Sequence, residues 1–436
     1  MKDFELEDLE PGENYCDSFD WVTDDMFEET ETKIKNAFWE TPEDETEFNF
    51  ERNKKEFIEN MDMLSNMSVE EATLYKKWQE WNKDLHSSMS KLPVLQSYFD
   101  TIWKPTDITN KDLTIAEITA LEPYIDIPTD MNKWTNIRRL ISTMEFTANP
   151  GRNLKAFVRD KITGKLLGVI SLGSDITSLG VRDQFIGWTK EDKFQKGKLN
   201  NTAIATSIVA TQPLGYNFLG GKLIAALTTA PEIRQYWKEK YDNILIGVGT
   251  TSLYGIHSIY NGIPHFKTLG ESKGKISIKP DDKFYDVWHQ WLKSEHNDWY
   301  TENITNERIR NGQSMGVDSG PVSGIKQKIL TKILKELGIK ADTYHHGFQR
   351  GVYMAMMYEN GNQFLCDKIE EKNLILKPKF QQGNEYTIRW WKDKAIKRYS
   401  TLHAEGRLKD ETLYYIDIIG MTWEECKAKY LKDVGR

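Results

Sequence analysis

Hydrophobic and polar positions change period along this chain, and the changes mark its regions. In Val69-Glu-Glu-Ala-Thr-Leu-Tyr-Lys-Lys-Trp-Gln-Glu-Trp, Leu74, Trp78 and Trp81 share a helical face, which predicts helix over 69–104 with a stop near Pro105. A second helical stretch over 131–144 repeats the spacing with Trp134, Ile137, Leu140 and Ile141. At 153 strand patterns take over. Two apolar runs from Leu154 and Leu166 flank Lys161-Ile-Thr-Gly-Lys, a hairpin in which Gly164 supplies the positive φ. Ala203-Ile-Ala-Thr-Ser-Ile-Val-Ala-Thr is β-branched and apolar throughout, as in a strand buried on both faces. A glycine-bearing turn, a helix over 223–230 and a second buried strand, Asn243-Ile-Leu-Ile-Gly-Val-Gly, follow. Beyond Pro280 come a tryptophan-rich helix (Trp288, Trp291, Trp299), a basic helix over 325–337, an aromatic strand from Gly351 and a charged tail. These patterns divide the chain into 1–60, 61–150, 151–280 and 281–436.

Charge changes the picture of the first of these. The net charge of −8 conceals a leader, residues 1–60, with 21 Asp and Glu against 6 Lys and Arg; the remainder is mildly basic at +7. The leader's apolar residues are mostly single aromatics such as Phe19, Trp21, Phe38 and Trp39, so it is expected to be partly flexible, or docked on the body's positive surface or on a protein partner. A basic body accommodates DNA or another nucleic acid as a partner. No apolar run reaches about 18 residues, so no membrane span is expected. With no apolar signal region after Met1, the expected location is the host-cell cytoplasm. Cys16, Cys366 and Cys426 form no zinc-type spacing, and no metal site is expected.

The segment Gln212-Pro-Leu-Gly-Tyr-Asn-Phe-Leu-Gly-Gly-Lys222 lies between a buried strand and a helix. Backbone N–H groups and a helix N-terminus converge there on a point that favours an anion. Gly215, Gly220 and Gly221 would let a diphosphate approach the main chain, with Gln212, Tyr216, Asn217 and Lys222 around it. Close helix packing explains such glycines equally well. A dinucleotide fold would need G-x-G-x-x-G phasing and an acid ending the next strand; the phasing fails and Thr250-Thr-Ser stands at that end. Asp183 either orients a substrate or caps its loop, and Trp188 is either a core anchor or a stacking platform. Arg389, Trp390, Lys392, Lys394, Lys397 and Arg398 either grip nucleic acid or form a solvated helix face.

The order hairpin, long strand, glycine turn, helix, strand and Tyr-bearing segment resembles the GNAT acyltransferases. That resemblance implies acetyl-CoA or a related acyl-CoA at the turn and Tyr260 as the proton donor to a leaving thiolate. His257, three residues earlier, and Asp183 are the proton-acceptor candidates. Over about 125 residues the chain is more similar to the DruA family, named for the Druantia anti-phage systems. Gly168-Val-Ile-Ser-Leu-Gly-Ser, Arg182-Asp-Gln-Phe-Ile-Gly-Trp188, Asn200-Asn201 and Leu269-Gly-Glu-Ser-Lys-Gly274 carry this likeness. It also resembles, more distantly, the phage Mom proteins, GNAT-type enzymes that modify adenine in DNA. Unlike related chains, it has no acid in Ile246-Gly-Val-Gly-Thr-Thr. The expectation is an α/β protein with a GNAT-like core, a helical N-terminal region and an α+β C-terminal extension. Its expected activity is acyl-CoA-dependent modification of a nucleobase in DNA. The alternatives are a catalytically inactive nucleic-acid-binding defence or anti-defence component, and an interaction protein whose leader mimics DNA.

Overall fold

The computed structural model describes residues 48–144, 151–252, 258–305, 321–340, 343–411 and 414–431. Seven strands form one open sheet in the order β1-β2-β3-β4-β5-β7-β6. They are β1 Pro123–Asp126, β2 Asn153–Asp160, β3 Leu166–Ser174, β4 Thr202–Ala210, β5 Gly247–Ser252, β6 Lys267–Ser277 and β7 His345–Met356. β2 and β3 form the expected hairpin. Asp160 accepts bonds from the Thr163 amide and hydroxyl at 2.9 and 2.6 Å, and Gly164 takes φ +69°.

Neighbouring strands run antiparallel except β4 and β5, which are parallel. A parallel pair needs a crossover, and the helices Gly220–Leu227 and Pro231–Tyr241 provide it. β4 and β5 pair only at Thr202↔Gly247, Ala203↔Val248 and Ile204↔Gly249, then separate. Just beyond, the β3–β4 register shifts so that Thr206 is an extra residue on β4. A bulge bends the strand that carries it, which accounts for the divergence.

Helices cover both faces of the sheet. Leu154, Ala156 and Val158 point into a core shared with Lys111–Ala120, Gly220–Leu227, Pro231–Tyr241 and Glu385–Ala404. Phe157 points the other way, toward Val69–Asn82 and Met131–Ile141, as a two-residue period requires. Gly168 permits the close approach on the first face: a Cβ there would lie 2.5 Å from the Val209 carbonyl oxygen and 2.6 Å from Ile224 Cδ1. A third core lies beside the sheet, where Phe57 and Met61 of Phe50–Ser65 meet Phe284 and Trp288 of Asp282–Glu295 and Ile329 and Ile333 of Pro321–Glu336. Asp281 binds Asn60 within this core at 2.8 Å and ties it to the helix Val69–Asn82 through Tyr75 at 2.9 Å and Lys76 at 3.0 Å.

The observed fold is mixed α/β. Its sheet crosses the sequence-based divisions, since β1 comes from 61–150 and β7 from 281–436. The helix expected over 69–104 breaks into Val69–Asn82, Leu85–Ser90 and Leu92–Ser97. Most of the acidic leader, residues 1–47, lies outside the described residues. Among the described residues no helix is long and apolar enough to cross a membrane.

Candidate active site

The glycine turn leaves β4 and enters the short helix Leu214–Asn217, then Gly220–Leu227. Its three glycines serve different ends. At Gly215 a Cβ would strike the Gln212 side chain, whose Oε1 accepts from the Tyr216 amide at 3.1 Å. At Gly220 a Cβ would lie 2.9 Å from Ala210 Cβ and 2.9 Å from the Leu214 carbonyl oxygen, so this glycine permits packing. Gly221 has more room; its nearest atom would be Ile259 Cδ1 at 3.2 Å. Leu219, the residue before the helix, takes φ +53°. Among the described residues no backbone acceptor takes the amides of Gly220 and Gly221, the first two of the helix.

Cations gather around this turn. Lys222 donates to the carbonyls of Ile259, at 2.9 Å, and Asn261. Burial, and then the charge of Lys394, hold its ammonium below the usual lysine range. Arg398 and Lys409 lie over the Tyr216 ring, 5.3 and 4.8 Å from its centroid. Arg407 bonds the Tyr216 phenol and pairs with Glu405 at 2.6 Å. Asn217, expected as a polar neighbour of a ligand, is buried and pinned to the Lys409 backbone, donating at 2.5 Å and accepting at 3.0 Å. It fixes the turn and does not face outward.

Tyr260 stands where β4 and β5 part. Its phenol shares a hydrogen bond with Thr250, whose hydroxyl donates across the gap to the Ala205 carbonyl at 3.3 Å. Burial raises this phenol above the ordinary tyrosine range, with the Thr250 bond opposing, so it keeps its proton through neutral pH. The ring packs against Tyr353 at 5.3 Å and Phe266 at 6.2 Å. The segment carrying it is held by Lys222 on one side. On the other, His265 Nε2 lies 3.0 Å from the Thr387 hydroxyl. His257 lies outside the described residues.

Asp183, a proton-acceptor candidate in the sequence, belongs to another neighbourhood, where internal donors engage both of its carboxylate oxygens. The helix Gly180–Ile186 leads into a loop where Ile186 and Trp188 pack with Met354 and Met356 of β7. Asp183 Oδ1 accepts from Arg182 at 2.6 and 3.0 Å and from Trp188 Nε1 at 2.9 Å; Oδ2 accepts from Lys193 at 2.8 Å. Burial opposes its ionisation, but the bonds from Lys193, Arg182 and Trp188 outweigh it and keep the carboxyl below the usual range. Arg182, 1 % exposed, also pairs with buried Asp175 at 2.6 Å and lies over the Trp188 ring. The Asp-x-x-Ile-Gly-Trp motif is thus a neutralised ionic knot, and Trp188 is a core anchor.

Of the tail residues proposed to grip nucleic acid, Arg389, Lys394 and Lys397 are exposed. Trp390 packs against the small cluster of Ala225, Ala226 and Ile263 that Tyr260 and Phe266 also meet, and Lys392 donates to the Thr119 carbonyl at 2.6 Å. Trp391, Ala395, Tyr399 and Leu402 form the buried stripe of the Glu385–Ala404 helix. Sequence reasoning missed Thr250, Arg407 and Lys409 at the site. None carries a local signature, because each acquires its place only through the fold.

Residues 114–367 match a protein family described as Druantia protein DruA, a span that contains all seven strands. A relative described as Druantia protein DruA, from Escherichia coli (strain UMEA 4076-1), is 28% identical over 237 residues. That alignment covers 49% of this chain and 53% of the relative, so the chain spans about half the length of the curated relative it matches. No solved structure matches.

Proposed function

The chain belongs to the DruA family, and from that premise we propose that it is a GNAT-like transferase of anti-phage defence or a mobile element. In this reading it moves an acyl-type group from a CoA thioester to a nucleobase amine in DNA. The observation that carries the reading is the divergence of β4 and β5 after three paired residues, with the cation-ringed turn where β4 ends and the Tyr260 phenol at the fork. Beyond Ile204 and Gly249 the two strands pair no further, and an extended arm containing amides can enter such a gap and bond as a strand would. The amides of Gly220 and Gly221, with Lys222, Lys394 and Arg398 nearby, suit a diphosphate. A bound acyl-CoA would supply the thioester. The protein's own contribution is to orient it between the strands and to hold a proton on the Tyr260 oxygen. Exposed Arg389, Lys394 and Lys397 favour a polyanionic acceptor, and Lys394 stands close enough to the turn to act on Lys222.

The test is ligand-induced stabilisation. Millimolar CoA or acetyl-CoA should raise the melting temperature by several degrees, since a ligand at about 100 times its Kd adds roughly 2.7 kcal/mol. Gly221→Asp should abolish the shift by placing a carboxylate at the turn. An unchanged melting temperature with either ligand would remove the acyl-CoA reading and leave a nucleic-acid-binding component on this scaffold. Mass spectrometry of nucleosides from DNA of expressing cells would then identify the acceptor.

A further inference from the structure

Away from the fork, one cavity collects cations around an aromatic ring. It has a volume of about 270 Å³; Trp299 and Asn303 line one side, and Gln327, Lys328, Lys332 and Lys335 line the other. The three lysines recur at spacings of four and three residues, so they share one face of the Pro321–Glu336 helix. Lys332 stands 5.5 Å from the Trp299 ring centroid and pairs with Glu336 at 2.6 Å. Lys328 and Lys335 are exposed.

The first described residues connect to this cavity through successive side-chain contacts. Phe48 stacks on Trp291 at 5.7 Å with the ring planes 22° apart. The Trp291 ring is 5.0 Å from His296, and His296 Nε2 is 3.5 Å from Glu336, the carboxylate that holds Lys332. A relay of contacts, none longer than 5.7 Å, therefore connects Phe48 to the lysine face. The segment before Phe48 has the opposite charge. Residues 1–47 hold 18 Asp and Glu against 3 Lys and Arg, a net charge of −15. Four of these carboxylates, Glu43, Asp44, Glu45 and Glu47, immediately precede Phe48, with Phe38 and Trp39 a few residues earlier.

We propose that this cavity is the docking site for the chain's own acidic leader, with the carboxylates of 43–47 on Lys328 and Lys335 and the Phe38–Trp39 pair against Trp299. The inference is independent of the acyl-CoA reading. Ten residues of extended chain reach about 33–36 Å, ample for neighbours joined by so short a relay. Exposed ion pairs are individually weak, about 0–1 kcal/mol each. Tethering compensates, because a short linker holds the segment at an effective concentration in the millimolar range. The same lysines and tryptophan suit a single nucleic-acid strand, which is the competing occupant. The leader is favoured because its charge is covalently tethered within reach of the cavity.

Zero-length carbodiimide cross-linking of the full chain, followed by peptide mass spectrometry, tests this directly. At about 50 mM salt, carboxylates of 43–47 should join Lys328 or Lys335, and at about 500 mM those links should fall at least tenfold as screening shortens. The double variant Lys328→Glu/Lys335→Glu should lose the links while keeping the wild-type melting temperature, and the milder Lys335→Gln should weaken them. If these carboxylates link to lysines elsewhere, or form no links in the wild-type chain, the proposal is overturned. An absence of links, together with protection of Lys328 and Lys335 from acylation by a thymidine oligonucleotide, would assign the cavity to nucleic acid instead.

Discussion

The ionic knot at 180–193 and the glycine turn at 212–222 are both short and rich in charge, but they balance that charge in opposite ways. In the knot, Arg182 and Lys193 meet Asp175 and Asp183 within 2.6 to 2.8 Å, so cation and carboxylate satisfy each other inside the protein. At the turn, Lys222 is pressed by Lys394, and Arg398 and Lys409 lie against an aromatic ring. A neutralised cluster gains nothing from an outside ion, whereas crowded cations lower their energy by admitting an anion. On the proposed reading the plainer motif receives the ligand, while the more distinctive one is balanced by its own internal ion pairs.

Four experiments break or sharpen this contrast. The largest effect is expected from Tyr260→Phe, which should reduce turnover by about two to four orders of magnitude while leaving the CoA-induced thermal shift intact. Wild-type turnover in this variant would leave the fork without a proton donor. Next, Arg182→Met should cost about 3–5 kcal/mol of stability, because it strands buried Asp175 without a cation and leaves Asp183 with Lys193 alone to balance it. Urea denaturation measures this, and a loss under about 1 kcal/mol would show that the knot is not internally balanced.

A third effect is pH-dependent. Burial, reinforced by Lys379 and Lys377, holds His265 down to about 4. Its unfolded value is about 6.5. As pH falls through 6.5 the unfolded chain takes up a proton that the folded chain refuses, so stability is lost progressively down to about 4. Between pH 7 and pH 5 the loss should be roughly 2 kcal/mol, and His265→Asn should flatten that part of the curve. The smallest effect should come from Lys394→Ala, which removes one exposed charge. CoA affinity measured by calorimetry should fall about two- to fivefold with no change in melting temperature.

Much of the sheet's first half was legible in the sequence. The β2–β3 hairpin is written in two apolar runs around Gly164, and β4 in an unbroken β-branched run, because these depend on local period and turn chemistry. β1 is only Pro123–Asp126, too short to show a period. β6 contains Gly270, Gly274 and three lysines, a composition that strands otherwise avoid. β7 was recognised as a strand, but nothing local indicates that it inserts between β5 and β6. The candidate site divides in the same manner. The turn and Tyr260 could be picked out by order along the chain, whereas Arg398, Arg407 and Lys409 reach Tyr216 from nearly the other end of the sequence. The partners of Asp183 were not legible, because an Asp in a loop looks the same whether it faces a substrate or three internal donors.

The position of β7 bears on the life of the chain before it is complete. β5 meets β4 over three residues, and its remaining neighbour in the sheet is β7. A ribosome releases β7 only after β6 and the whole Pro321–Glu336 helix have emerged. Until then β6 also lacks its neighbour, since in the finished sheet it pairs with β7. Nascent chains stopped before His345 would thus carry two unzipped strands, open to chaperones or to one another, and would mature only when the last strand slides between them.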